Sequence, residues 1–420
     1  MRKQVFIAAA VAAVLVTGSA VALADPFDAG SGSDKSTLNN DLLNQKIEAL
    51  HEAGAPGVIA EVRDGDGVWE GSAGERVIGD NKKPDPTDRV RVASLTKSMI
   101  ATVTLQLADE GEVDLDAPID EYLPDVLRYE ETITVRQLLN HTSGLRDYFV
   151  HIYGSLHNGD PSDVRTNRLN KYTPKEIIGM ATEEPLLFEP GTKFSYANTG
   201  YTVIGLLIEK LTGKSIQDAV DERVLEPAGM NDSYLAKEGQ LIVDGPHPNG
   251  YFDNGDGTEM IDVSDIDPSQ FWSGVAAVSS PRDINRFYRA MSDGTLLTPE
   301  RLAEARDLTP QSDKTYGLGL DSFKVPDNCA PVPSKAAYGH TGDGLGYITF
   351  SGSSPDGERQ VTFAFTLGYE LNPTVTEKLR KAWRGLFYAG LCDIDTDKPT
   401  VAKTLPDEDP LSLQATFRQT

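Results

Sequence analysis

Strand-like alternation is confined to the two ends of this chain, and a long helix-patterned stretch separates them. Near the start, 57–63 and 67–72 read as a hairpin with Asp64-Gly65-Asp66 at its turn. Near the end, 346–352 and 359–367 alternate around Pro355-Asp356-Gly357. Between them, helical patterning is expected at 94–109, with Gly111 as a stop, and at 134–140, 174–181, 199–212 and 215–222. Pro, Gly and Asp punctuate these segments. Further helices are expected at 41–53 and 371–390, and no internal repeat is evident. The expected class is α+β, with strands contributed by both ends and helices in the middle.

The termini read differently. Arg2 and Lys3 precede the apolar run 5–16, and Ala22-Leu23-Ala24 supplies small residues before Asp25-Pro26. That is the pattern of a secretory signal over 1–24, cut after Ala24. The run is too short for a membrane span, which needs about 20 apolar residues. Residues 25–40 are polar and rich in Gly and Ser, so they read as a flexible lead-in to a domain over 41–392. Residues 393–420 are acidic and lack periodicity, the pattern of a disordered tail.

The expected location is therefore extracellular, with no integral membrane segment in the mature chain. In an exported chain the two cysteines, Cys329 and Cys392, are expected to form one disulfide, the alternative being two buried thiols. The formal charge of −25 argues against nucleic acid as a partner. Six His and two Cys without zinc-site spacing argue against a metal.

Three short motifs carry the chemistry: Ser94-Leu95-Thr96-Lys97, Tyr196-Ala197-Asn198 and His340-Thr341-Gly342. A serine hydroxyl needs a neighbour to take its proton before it attacks. Residues three apart on a helix share a face, so Lys97 can sit beside Ser94. Lys97 then acts either neutral, as the base, or charged, holding Tyr196 as a phenolate; burial decides between them. Tyr196 can pass the proton on to a leaving group. Asn198 can orient a substrate amide, and backbone N–H groups can form an oxyanion hole.

These motifs, in this order, resemble the serine β-lactamase and penicillin-binding-protein superfamily. Within it the chain looks most like secreted D-alanyl-D-alanine carboxypeptidases and class C-type β-lactamases. The likeness spans roughly 40–392. It includes Arg91-Val92-Ala93, Gln137-Leu138-Leu139-Asn140-His141-Thr142-Ser143-Gly144-Leu145, Glu189-Pro190-Gly191, Asn249-Gly250-Tyr251, Ser279-Ser280 with Asp283, and Tyr316-Gly317-Leu318-Gly319-Leu320. The resemblance implies a β-lactamase/transpeptidase-like fold: an antiparallel sheet flanked by helices, plus an all-helical lobe. It implies that Ser94 is acylated, that Lys97 and Tyr196 handle protons, and that Asn198 orients substrate. It places His340 and Thr341 on an edge strand facing the substrate, with Gly342 following and the Asp343 N–H as an oxyanion donor. Cys329 and Cys392 sit where some secreted relatives have a disulfide.

The resemblance also implies a function: D-alanyl-D-alanine carboxypeptidase acting on cell-wall peptide through an acyl-enzyme. A β-lactamase, an esterase and a D-aminopeptidase are the alternatives on the same scaffold. The expected partners are a small peptide, peptidoglycan or a β-lactam, bound by a monomer without cofactor. Two positions depart from the carboxypeptidase pattern. Asp321 stands where an Arg often holds the substrate's terminal carboxylate, with Lys324 as a substitute cation nearby, and Asp343 stands where a hydroxyl residue is common. An acidic group repels a substrate carboxylate, so both departures shift weight toward esterase and aminopeptidase chemistry. His141 reads as part of a structural turn. Trp272 and Phe149 read either as pocket walls or as core. A non-catalytic binding protein is disfavoured because both Ser94 and Lys97 are present.

Overall fold

The computed structural model describes residues 38–254, 259–368 and 373–398 of the 420-residue chain. The expected signal, residues 25–37 of the lead-in, and 399–420 of the tail lie outside the described residues.

The chain opens on helix α1 (Asn40–Glu52), capped by the Asn39 side chain, which accepts the Leu42 N–H. Leu43, Ile47 and Leu50 recur at helical spacing and bury one face of it. Hairpin β1 (Gly57–Asp64) and β2 (Gly67–Gly74) follows. Helices α2 (Thr96–Asp109), α3 (Asn198–Thr212) and α4 (Pro281–Ser292) lie in the middle. Then come β3 (Asp321–Lys324), β4 (Ala336–Gly344), β5 (Tyr347–Ser353), β6 (Arg359–Phe365) and the closing helix α5 (Pro373–Cys392).

The six strands form one sheet in the order β2-β1-β6-β5-β4-β3, every neighbouring pair antiparallel. The two ends of the chain thus meet in one layer, β1 against β6. Helices α1 and α5 cover one face. Their shared core includes Val58, Ala60, Val62, Phe363, Trp383 and Phe387. Phe350 stacks on Trp383 with ring centroids 4.9 Å apart and planes at 19°. Trp383→Ala is expected to cost about 3–5 kcal/mol, because neighbours of this size refill a cavity incompletely. Urea titration would show the midpoint falling at constant slope; a loss below about 1 kcal/mol would contradict this packing.

The other face of the sheet meets α4 through a polar layer. Asn285 donates to Glu61 Oε1 at 3.0 Å and accepts from Thr362 Oγ1 at 2.7 Å, and its carbonyl accepts from the Gln360 amide at 2.7 Å.

The middle of the chain packs around α2, which is buried on nearly every side. This lobe is helical but also holds short strands. Val90–Arg91, Ala277–Ser279 and Tyr234–Leu235 make a three-stranded patch. That patch anchors the approach to Ser94, since the Val92 N–H donates to the Ala277 carbonyl at 3.0 Å. Cys329 and Cys392 form a disulfide, tying the β3–β4 connection to the end of α5.

Two boundaries are corrected. Residues 393–398, assigned to a disordered tail, belong to the folded body: Ile394 is buried, and Asp395 and Asp397 each take a 2.7 Å ion pair from the buried Lys46. The lead-in likewise ends before Leu38, which is buried.

Candidate active site

Ser94 sits in a single 3₁₀ turn, Ala93–Leu95, that runs straight into α2. Ala93 has φ +49°, a strained conformation for a residue with a Cβ, and it lifts Ser94 clear of the strand before it. Thr96 locks the turn: its hydroxyl donates to the Ala93 carbonyl at 2.6 Å and accepts the Ala277 N–H at 3.0 Å.

Lys97, one helical turn along, is fully buried. Its Nζ lies 2.7 Å from Asn198 Oδ1, 3.1 Å from the Gly274 carbonyl and 2.9 Å from Ser94 Oγ. Burial brings its pKa down to about 7. A neutral amine has two N–H bonds and a lone pair. The two carbonyl oxygens take the hydrogens, and the lone pair then faces Ser94. Tyr196 hydrogen-bonds the Ser94 side chain, while burial pushes its phenol well above the usual tyrosine range. Burial thus favours loss of the Lys97 proton and keeps the proton on Tyr196, the direction in which the amine serves as base.

Asn198 begins α3. Its Nδ2 donates to Asp147 Oδ2 at 2.8 Å, which fixes the amide so that Oδ1 faces Lys97. Burial raises the Asp147 carboxyl to about 6. Asp147 was not singled out from sequence. A lone Asp after Gly-Leu-Arg carries no local signal, and only the fold brings it to Asn198.

Strand β4 forms the opposite wall. A Cβ on Gly342 would lie 2.2 Å from the Val92 carbonyl oxygen, so only glycine lets the strand lie against the Ser94 turn. The Thr341 N–H donates to Asp321 Oδ2 at 3.0 Å and so points away from β5. Strand alternation turns the Asp343 N–H to the same side. β4 is not itself the sheet edge, as the resemblance implied: β3 is, but it pairs only with 336–339 and leaves the outer side of β4 uncovered from His340 onward.

Three expected contacts change. His340 is buried, with Nε2 3.1 Å from the Tyr316 hydroxyl and Nδ1 2.6 Å from the Thr341 carbonyl, so neither ring nitrogen remains for a substrate. Gly342 has a packing role through its missing side chain, which lets β4 lie against the Ser94 turn. Lys324 is exposed at the far end of β3, about 10 Å along the strand from Asp321.

Thr341 and Asp343 share one face of β4, with Asp321 on the Thr341 N–H. Burial raises both Asp321 and Asp343 to about 7. Phe149 packs on Tyr153 at 4.8 Å, and Trp272 packs against α3 beside Gly205. His141, read from sequence as a turn residue, does adopt φ +59°, but its ring also stacks on Tyr196 with centroids 4.1 Å apart. The Asn140-His141-Thr142-Ser143-Gly144 stretch was the available signal for that contact.

Comparison with known proteins agrees with this geometry. The Beta-lactamase family matches residues 43–382. A putative penicillin-binding protein, PbpX, of Bacillus subtilis (strain 168) is 29% identical over 279 residues, 66% of this chain and 65% of that protein. A D-aminopeptidase of Brucella anthropi is 29% identical over 64% of this chain, and the matched region spans only 49% of that enzyme. Among solved structures, a D-stereospecific amidohydrolase from Streptomyces sp. superposes with a TM-score of 0.72 at 30% identity, covering 85% of this chain and 99% of that one. The strained serine turn, its buried lysine and half-buried tyrosine, and a family match across most of the folded body lead to one assignment: this chain belongs to the β-lactamase family and is a hydrolase of the β-lactamase and penicillin-binding-protein type.

Proposed function

We propose that this protein is an exported serine hydrolase that cleaves amides and short peptides of D-amino acids, recognising a free ammonium group instead of a terminal carboxylate. The observation that carries this reading is the pair of carboxyl groups, Asp321 and Asp343, beside Thr341 on the strand facing Ser94. No cation pairs with Asp343 among the described residues, and its carboxyl is half-buried. Both carboxyls titrate near 7, so a substrate ammonium placed there holds them ionised and is attracted, whereas a substrate carboxylate meets repulsion from whatever fraction is ionised. The likeness to a D-stereospecific amidohydrolase and a D-aminopeptidase supports the same substrate class.

In this mechanism neutral Lys97 takes the Ser94 proton as Oγ attacks the carbonyl carbon. The N–H groups of Ser94 and Asp343 hold the oxyanion. Tyr196 relays the proton to the departing nitrogen, which leaves as ammonia or an amine. Water then enters by the same route in reverse and frees the D-amino acid. Asn198, held by Asp147, positions the acyl group.

A second reading, D-alanyl-D-alanine carboxypeptidase, is supported by the three motifs and by the likeness to PbpX. Rates for D-alaninamide, N-acetyl-D-alaninamide and diacetyl-L-Lys-D-Ala-D-Ala separate the two. The amide with the free amino group is expected to react at least tenfold faster than the others, and Asp343→Asn to erode that preference by raising KM. Cleavage confined to the peptide with a free C-terminal carboxylate would sink the ammonium reading and favour the carboxypeptidase.

A further inference from the structure

Behind Tyr196 runs a row of buried polar groups that the mechanism above does not use. The Ala197 N–H lies 3.2 Å from His141 Nδ1, and His141 Nε2 lies 3.2 Å from the Tyr316 hydroxyl. The same hydroxyl lies 3.1 Å from His340 Nε2, and His340 Nδ1 lies 2.6 Å from the Thr341 carbonyl. One end of the row is the peptide next to Tyr196. The other is the peptide of Thr341, on the strand that carries the Asp343 N–H.

One arrangement of protons satisfies all four of these distances. An amide N–H can only donate, so His141 Nδ1 accepts and the proton of this ring is on Nε2. A carbonyl can only accept, so His340 Nδ1 carries a proton and its Nε2 accepts. Tyr316 completes the row, accepting from His141 and donating to His340. Tyr201 is also within hydrogen-bonding reach of Tyr316, but its own hydroxyl donates to the Leu139 carbonyl at 2.8 Å. That leaves the Tyr316 proton a choice between a phenol oxygen and an imidazole nitrogen, of which the nitrogen is the stronger acceptor. Both imidazoles are held neutral by burial, which takes His340 down to about 3 and His141 well below its usual range.

We infer that Tyr316 is a positioning residue, which through its hydrogen bonds to His141 and His340 fixes the distance between the Tyr196 phenol and the Thr341–Asp343 strand. The reason is mechanical. His141 is stacked on Tyr196 and His340 is bonded to its own strand, so their separation sets that of the two catalytic walls. Tyr316 is the only described residue bonded to both rings. Replacing its hydroxyl leaves one buried donor and one buried acceptor unpaired, and the gap becomes free to relax. Displacements near 1 Å at a reacting centre lower rates about a hundredfold. The inference rests on Ser94 being the nucleophile but not on which end of the substrate is recognised.

Two measurements test it. The first is long-range ¹H–¹⁵N correlation on the wild-type protein between pH 6 and 8. It should show His141 as the neutral Nε2–H form and His340 as the neutral Nδ1–H form. Either ring charged, or in the opposite tautomer, would overturn the inference without any reference to activity. The second is turnover of p-nitrophenyl acetate, an ester that needs no end recognition, by Tyr316→Phe. A kcat lowered by about a hundredfold with KM within a factor of two or three, together with loss of the single His340 tautomer, is the expected result. Unchanged kcat, or a change in KM alone, would overturn the positioning role. If the wild type leaves the ester intact, the nucleophile reading fails, while the tautomer spectrum still judges the hydrogen-bonded row.

Discussion

Ser94→Ala yields a folded protein that takes up no acyl group. With wild type, intact mass after exposure to a fluorophosphonate, which labels an activated serine without reading either end of a substrate, should rise by the mass of the probe less HF, and peptide mapping should place the adduct on Ser94. In the variant the mass should not change, and turnover of any amide or ester substrate should fall by about a thousandfold or more. The fold should survive because Ser94 is a half-buried turn residue and the turn is held by Thr96 and the Ala277 N–H, not by the serine hydroxyl. Thermal midpoints within a few degrees would confirm that only chemistry was lost. Turnover within tenfold of wild type would remove Ser94 from the mechanism.

Lys97→Met should be inactive and more stable. Methionine fills a similar volume without a polar end in a site with no exposure to water. Losing the base is expected to slow acylation about 10²–10⁴-fold. In the wild type kcat/KM should climb as pH rises through about 7, the point at which Lys97 loses its proton. A flat profile from pH 5.5 to 8.5 would argue that another group takes the proton.

The stability effect has a definite sign. The amine has its ordinary pKa of 10.5 when unfolded and about 7 when folded, so between those values the unfolded chain binds more protons. Stability contributed by this site therefore rises as pH goes from about 7 to 10.5 and is least below 7. Methionine has no such slope. At pH 7 the variant should be more stable by about 1–3 kcal/mol, since the emptied hydrogen-bond positions at Asn198 and Gly274 offset part of roughly 1.4 kcal/mol per pKa unit. A less stable variant would mean that those two contacts outweigh the burial of the amine.

Local periodicity located most of the architecture. The hairpin β1–β2, helices α2 and α3 and the closing helix lie within a few residues of where alternation and helical spacing put them. Strands β3 and β4 are less visible, because glycine and polar residues at Gly339, His340, Gly342 and Asp343 break the alternation for the sake of close approach and chemistry. The motif residues Ser94, Lys97, Tyr196 and Asn198 were legible because three positions at the start of one helix and two at the entry to another are short-range relations. The contact of Asp147 with Asn198 was not, since it joins segments 51 positions apart with nothing local to mark it; His141 and Tyr316 lie in recognisable stretches, but their contacts with Tyr196 and with each other join segments just as distant. The opposite error, His340 as a ligand contact, has the same origin: its strand was correct, but its partner Tyr316 comes from a separate loop.

The pairing of β1 with β6 has a kinetic consequence. Val58 lies opposite Phe365, so β1 has no second neighbour until nearly the whole folded body has been synthesised. Until then the hairpin β1–β2 is a two-stranded ribbon, which is marginal in water, and the core beneath α1 lacks Phe363 and Trp383. Closing a loop of this length is slow and must precede the contacts that reward it. A ribosome-bound chain of this design should therefore remain open and protease-sensitive late into synthesis, and collapse cooperatively once 359–392 emerge. Such a delay would fit the export proposed for this chain, which would require threading through a narrow channel before folding.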